Sequence, residues 1–426
     1  MGKVFPIKQG VACQLKWTWN TVRLAESTTA CCHRVTPVPL TADTFDNFHN
    51  HPVWLSHRQQ QLQGQFPQQG CQYCGDIEAV GGTSDRLLHL QETDIYPPEL
   101  DQDINAIQVT PRILEVFINN ACNMACIYCD ESNSSRIEKE NRRYGYDVPG
   151  VERNLEAPTR SIIPIVPRYD QYSALVEKFF SWVDSHYHTL RRLQVLGGEP
   201  FYQREFDRLV DMVCERDHPD LVFNVVTNLM VSRPVLEKFI LRMKSILARR
   251  QLKQLHLTVS IDCWGQEQEY VRWGLDLEQW YDNFQYLVSQ KWIFLSINST
   301  ITSLTIKTMP DLLDKINALR SNRHIHHAFS IVDFRPHFHP GIMPKGFWSN
   351  DFKRILSRMP TQQHWDQTAL QYMKGIRDVI DAASTDSRQQ TNLRCYLDEI
   401  DRRRGLDWRS IFPWLPEIID KHHVVL

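Results

Sequence analysis

Cys122, Cys126 and Cys129 carry the sharpest chemical signal in this 426-residue chain. They follow the apolar, β-prone run Ile113–Ile118 with Cys-x3-Cys-x2-Cys spacing, so a loop leaving a strand can turn three thiols toward one centre. A cubane iron–sulfur cluster has four irons, and three thiolate ligands leave one iron open to a ligand that is not protein. Three cysteines completed by a histidine would instead suit zinc, but no His follows until His186, far beyond zinc-finger spacing.

A second group comprises Cys13, Cys31, Cys32, Cys71 and Cys74, one thiol more than a four-cysteine site needs. Four thiolates suit tetrahedral zinc or an iron–sulfur cluster, and spacing does not separate them. Eight of the 11 cysteines thus lie in the first 130 residues, which suggests two cluster-bearing modules. Cys214, Cys263 and Cys395 are isolated in or beside apolar elements, where free cysteine behaves as a small buried hydrophobe. Cys263 follows a strand end and is also a catalytic candidate.

The elements that must position these groups read as α/β. Strands are expected at Ile113–Ile118, Leu193–Leu196, Val222–Val226, Leu255–Ile261, Ile293–Ser299 and Ala328–Phe334. Helical periodicity occupies Tyr172–Ser185, Pro234–Arg249, Glu267–Ser289 and Leu304–Arg320. Six such βα units fit a partial (β/α)6 barrel over residues 107–345. Residues 1–106 are expected as a small amino-terminal cysteine-bearing module with its linker, including a candidate strand at Trp17–Leu24. Residues 346–426 form a C-terminal helical extension, with Gln363–Ala383 and Thr391–Arg404 as its best segments. The long connection from residue 130 to 168 is charged, then proline-rich, and suits a lid or substrate-holding segment.

With 48 Lys plus Arg against 50 Asp plus Glu, the formal charge is −2, which argues against a broad basic surface for nucleic acid or anionic lipid. No run of roughly 18 apolar residues and no secretion signal is visible, so no membrane span and a cytoplasmic location are expected.

The cysteine loop, with Tyr128 just before its last cysteine, resembles the signature of the radical S-adenosylmethionine (SAM) superfamily. The second barrel strand runs into Gly197-Gly198-Glu199-Pro200, similar to that family's Gly-Gly-Glu-Pro motif, whose backbone receives the methionine amino group. The resemblance implies a [4Fe-4S] cluster on Cys122, Cys126 and Cys129, and SAM bound near Tyr128 and the Gly-Gly-Glu-Pro turn. It further implies that Asn228 and Ser260 hold the ribose or carboxylate end of SAM, with Asp262 beside them. Arg272 would pair with the carboxylate, a fit for its planar donor fork. A flavodoxin- or ferredoxin-type reductant would supply the electron that cleaves SAM to a 5′-deoxyadenosyl radical.

Arg58, Gly64, Cys71-x2-Cys74, Glu78 and Ser84-Asp85-Arg86 resemble a twitch domain, the shortened form of the SPASM module, which implies an auxiliary [4Fe-4S] cluster. Cys13, Cys71 and Cys74 would be ligands, with Cys32 or Cys31 as the fourth. In most relatives that module follows the barrel, whereas here it precedes it. Asp333 is the other catalytic candidate, near His324, His326, His327, Arg335, His337 and His339; a solvated strand edge is the plainer reading of those histidines.

These resemblances imply a peptide or protein substrate, a ribosomally made (RiPP) precursor, with a small leader-recognition partner. Splicease-type excision of a tyramine unit, crosslinking and epimerisation are the candidate reactions, and oxidation or rearrangement of a small metabolite is the alternative. A non-catalytic iron–sulfur electron carrier is the alternative of another class.

Overall fold

The computed structural model describes residues 12–32, 35–67, 71–79, 84–90, 92, 94–151, 169–320, 323–332 and 335–420. The strands among them are, in chain order, β1 (Trp19–Arg23), β2 (Thr28–Ala30), β3 (Val38–Pro39), β4 (Ile113–Phe117), β5 (Ala125–Cys126), β6 (Arg192–Leu196), β7 (His218–Thr227), β8 (Leu252–Ser260), β9 (Arg272–Trp273), β10 (Phe294–Ile301) and β11 (His326–Ile331). The architecture is α/β with mostly parallel pairing. All six expected barrel strands form, as β4, β6, β7, β8, β10 and β11. The chain divides into two compact units, the first Met1–Asn120, Ile165–Val225 and Lys238–Leu255, the second Ala121–Pro164, Val226–Glu237 and His256–Leu426.

In the first unit the order is β7-β6-β4-β1-β2-β3. β7, β6, β4 and β1 are successively parallel, and β2 and β3 add antiparallel. The strand expected at Trp17–Leu24 forms over Trp19–Arg23, with Trp17 and Thr18 in a short helix before it, and it pairs parallel to β4 with Trp19 opposite Ile113. The helix Arg204–Glu215 buries Phe206, Leu209, Val210 and Val213, a stripe at helical spacing. A polar row crosses the strands at one level. Thr21 Oγ1 donates to Glu115 Oε1 (2.8 Å), Gln194 Nε2 to Glu115 Oε2 (2.8 Å), and Asn224 Nδ2 to Gln194 Oε1 (3.0 Å). A buried carboxylate is tolerable only with donors of this kind.

In the second unit β10 is parallel to β8 and to β11, while β5 and β9 form a short antiparallel pair. The expected helix Glu267–Ser289 is broken into Gln266–Val271 and Leu277–Ser289. The chain leaves the helix to place β9 on β5, then turns at Gly274 with φ +102°, where a Cβ would stand 3.0 Å from the Asn123 carbonyl oxygen. The helix expected from Leu304 starts at Met309, because Thr302 and Thr305 first fold a turn closed by Thr302 N–H to Thr305 Oγ1 (2.9 Å).

After β11 the chain is helical, at Ser349–Arg358, His364–Ala382, Ser387–Arg404, Trp408–Ile411 and Pro416–Ile419. Their apolar faces, with Ile376, Leu393, Leu397, Trp408 and Phe412, share one core with Phe329, Phe338 and the loop residues Ile127 and Tyr128. Burying each such side chain contributes about 1.5–3 kcal/mol. Among the described residues no helix is long and apolar enough to cross a membrane.

Candidate functional site

The cysteine loop is held chiefly by its backbone. Ser135 Oγ accepts from Cys122 N–H (3.2 Å), Ser134 Oγ donates to the Met124 carbonyl (2.6 Å), and Arg136 Nη1 donates to the Asn123 carbonyl (2.7 Å). Ser134 also caps the helix Ser135–Tyr144 by accepting from Ile137 N–H, so the residues after the loop both end it and brace it. On the other side, Tyr396 OH donates to the Ile127 carbonyl (2.9 Å), Arg335 Nη2 to the Cys129 carbonyl (2.7 Å), and Arg335 Nη1 to Tyr396 OH (2.8 Å). Cys126 lies in β5 opposite Arg272. Asn228, from the end of β7, donates to Asn123 Oδ1 (2.8 Å) and lies 3.9 Å from Cys122 Sγ. Burial, first, then the charge of Asp130 and the neighbouring Cys126 and Cys122, pushes Cys129 well above the ordinary thiol range. Burial also raises Cys126.

The Gly-Gly-Glu-Pro segment follows β6, whose last residue Leu196 is paired with Phe117 at the end of β4. Gly197 and Gly198 both have positive φ, +85° and +58°. At Gly197 a Cβ would stand 2.3 Å from Phe117 Cδ1, so no other residue fits this turn. Gln203 Nε2 donates to the Gly197 carbonyl (2.8 Å). Glu199 is fully buried and its carboxylate accepts from Phe201 N–H, capping the short helix Pro200–Tyr202.

Tyr128, Asp262 and Arg272 come together, though not as expected for a ligand. Arg272 donates from Nε and Nη2 to the two oxygens of Asp262, both at 2.8 Å. Tyr128 OH donates to Asp262 Oδ2 (2.6 Å) and Thr300 N–H to Asp262 Oδ1 (2.8 Å). The fork of Arg272 expected to grip a carboxylate is thus taken by one from this chain, and Asp262 is fully buried. Cys263 is also fully buried, and burial pushes its thiol well up. That burial is what a small core hydrophobe would show. Ser260 ends β8 opposite Asn298 and is partly exposed. His327 is buried with Nε2 2.8 Å from Ser299 Oγ, and buried His337 is held down to about 3 by burial and Arg335. Neither is a solvated edge. Asp333 lies outside the described residues.

The amino-terminal cysteines gather too. Cys31 and Cys32 are hydrogen-bonded to each other, and Cys13 feels Cys71, Cys31 and Cys74 electrostatically; burial pushes Cys13 up to about 12. The residues of the twitch-like pattern make the frame. Buried Arg58 donates to the Lys16 carbonyl (2.7 Å), Asn50 Oδ1 (2.9 Å) and the Ile107 carbonyl (2.6 Å). Arg86 donates to Glu78 Oε1 (2.8 Å) and to the Ala12 carbonyl (2.7 Å), tying the helix Gln72–Ala79, which carries Cys74, to the residue before Cys13. Ser84 also donates to Glu78. Cys13 N–H donates to Gln61 Oε1 (3.1 Å). All 11 cysteines are outside disulfides.

Residues 116–316 match the Radical SAM superfamily. Two solved structures of Streptococcus suis SuiB, one bound to S-adenosylmethionine, are similar to 76% of this chain with TM-scores of 0.35 and 0.33 and identities of 13% and 14%. The similarity spans 63% and 61% of those chains, under two thirds of their length. No curated protein matches.

The radical SAM family implies a [4Fe-4S] cluster and SAM, and the donor chemistry of the loop fits the cluster. Three soft thiols on one short loop are partly exposed and outside disulfides. Among the described residues no three His, Cys, Asp or Glu side chains converge closely enough for a single metal ion. Sequence reasoning missed the parts played by Ser134, Ser135 and Tyr396 at the Cys122–Cys129 loop and by Lys16 among the amino-terminal thiols. Ser-Ser after a cysteine loop signals a helix cap, but nothing local marks Tyr396, which reaches back across 269 positions.

Proposed function

We propose that this chain is a radical SAM enzyme that cleaves SAM reductively and modifies a peptide, a ribosomally made precursor, with tyramine excision of the splicease type as the leading reaction. The observation that carries the reading is the turn at Gly197. It follows a strand ending abreast of the one that feeds the cysteine loop, and only glycine fits it. Parallel α/β sheets take their ligands at this carboxyl end.

Cys122, Cys126 and Cys129 would hold the cluster, and the Gly197–Pro200 turn and Asn228 would contact SAM. When bound, these groups supply the one-electron cleavage that yields a hydrogen-abstracting 5′-deoxyadenosyl radical. The chain's own work is to hold three thiolates in place through Ser135, Arg335 and Tyr396. Tyr128, Asp262 and Arg272 support the loop from beneath rather than gripping SAM directly. Cys13, Cys71, Cys74 and Cys32 or Cys31 would hold an auxiliary cluster, framed by Arg58, Glu78 and Arg86. The likeness of that frame to auxiliary-cluster modules is what favours a peptide substrate, with a small leader-recognition partner and a flavodoxin- or ferredoxin-type reductant.

The test is anaerobic reconstitution with iron, sulfide, SAM and dithionite. The wild-type chain should form 5′-deoxyadenosine, and the Cys122→Ala/Cys126→Ala/Cys129→Ala variant should form none. An electron carrier would give none with either. With a candidate precursor peptide, excision lowers the substrate mass by a tyramine unit, crosslinking lowers it by two hydrogens, and epimerisation leaves it unchanged.

A further inference from the structure

Beside the amino-terminal thiols stands a buried ammonium group. Lys16 is 1% exposed, and its Nζ donates to Cys31 Sγ at 3.3 Å and lies 3.1 Å from His57 Nδ1. The groups acting most strongly on it electrostatically are Cys31, Cys71, Cys13 and Cys32. Among the described residues no carboxylate pairs with it; it is also hydrogen-bonded to Cys71, and the ring of Trp54 lies 6.0 Å away. A second buried cation, Arg58, approaches from behind through the Lys16 carbonyl.

A buried charge needs a partner of opposite sign, because leaving water costs several kcal/mol that only a close counter-charge offsets. Here the available partners are sulfurs. As neutral thiols they would leave Lys16 uncompensated, whereas four thiolates around a cubane of two ferrous and two ferric irons carry a net charge of −2. One-electron reduction makes that −3, and a fixed cation favours the added negative charge. The short stem between β1 and Cys13 therefore places the ammonium where it acts on both assembly and redox poise.

We infer that Lys16 is the counter-charge of the auxiliary cluster and raises its reduction potential, so that the site accepts an electron more readily than four thiolates alone would allow. This rests on the auxiliary cluster of the preceding reading. Lys16 is a positioning residue and touches no substrate.

The experiment uses the full chain in the Cys122→Ala/Cys126→Ala/Cys129→Ala background, so that the remaining paramagnetic signal comes from the amino-terminal site. Lys16→Met, Lys16→Gln and Lys16→Arg are reconstituted anaerobically, iron and sulfide are counted, and each is titrated with dithionite through mediators while the reduced cluster is followed by electron paramagnetic resonance. Dithionite donates the electron and the cluster accepts it. Lys16→Met and Lys16→Gln should lower the ratio of reduced to oxidised cluster about tenfold at fixed potential, a negative shift of about 59 mV for one electron. Lys16→Arg should stay near the parent.

Unchanged potentials in Lys16→Met and Lys16→Gln with full iron overturn the inference. If both neutral variants lose their iron while Lys16→Arg keeps it, the counter-charge is required for assembly and the inference stands. If Lys16→Arg loses iron as well, shape rather than charge is what matters, and the inference falls. Absence of iron in the parent, or zinc in its place, removes the auxiliary cluster and sinks the preceding reading separately.

Discussion

The two cysteine groups are built on opposite plans. In the loop Cys122–Cys129 the chain fixes the path of the backbone. Arg335 and Tyr396 grip carbonyls, Ser134 and Ser135 brace the following turn, and the Arg272–Asp262 pair sits under β5. In the amino-terminal group the sulfur atoms themselves are addressed, by Lys16 at 3.3 Å from Cys31. Each region sets a neutral histidine beside its cation, His337 with Arg335 and His57 with Lys16. Only in the second does the cation touch a thiol. On the proposed reading, a loop that would leave one iron open to an exchangeable ligand needs accurate geometry, whereas a fully thiolate-held site would need its accumulated negative charge balanced.

The sharpest way to break this contrast is Asp262→Asn. The bidentate partner of a buried guanidinium is lost, and Arg272 is left without its carboxylate beneath the cysteine loop. Removing one member of such a pair costs about 3–5 kcal/mol. Urea unfolding should show that loss, and iron counts should fall at the loop but not at the amino-terminal site. A cost below about 1 kcal/mol would mean that Asp262 does not carry the support assigned to it. Gly197→Ala comes next. The positive φ and the Phe117 ring 2.3 Å from the new methyl should cost about 1–3 kcal/mol. Phe117→Leu in the same chain should recover part of it.

The six expected parallel strands and both chemical motifs were legible because each is local. Apolar runs bounded by turns announce β4, β6, β7, β8, β10 and β11, and Cys-x3-Cys-x2-Cys and Gly-Gly-Glu-Pro are contiguous. What escaped depends on pairing across the chain. Arg272 and Asp262 were both readable as polar ligands, but that they satisfy each other follows only from folding β9 against β5. The break in Glu267–Ser289 has the same origin, since an apolar periodicity continues through Gly274 while tertiary pairing stops the helix. Trp17–Leu24 was visible as a strand, yet its parallel place beside β4 is a matter of register. Lys16 looked like one basic residue between Cys13 and Trp17, and only burial gives it meaning.

Tyr396→Phe sharpens the contrast from the side of the loop. It removes the hydroxyl that donates to the Ile127 carbonyl and accepts from Arg335, and leaves buried polar groups short of a partner. A loss of about 1–3 kcal/mol is expected, with slower iron uptake by the loop and an unchanged amino-terminal iron count. Equal loss of iron from both sites would erase the distinction between backbone and sulfur control.

The smallest effect lies in the histidines, and it asks whether both regions share one pH response. Burial, then the Lys16 charge, holds His57 down to about 4, and burial, then Arg335, holds His337 down to about 3. An unfolded histidine titrates near 6.5, so between that pH and the folded value the unfolded chain binds more protons than the native one. The stabilising contribution is complete above about pH 6.5 and declines as the pH falls toward 4 for His57 and toward 3 for His337. His57→Asn should flatten the decline between pH 6.5 and 4 by about 1–2 kcal/mol in urea unfolding of the metal-free chain. His337→Asn should extend that flattening about one pH unit lower. If Lys16→Met flattens the profile as His57→Asn does, the cation is acting through the histidine in the metal-free chain. If it leaves the profile unchanged, burial alone sets His57.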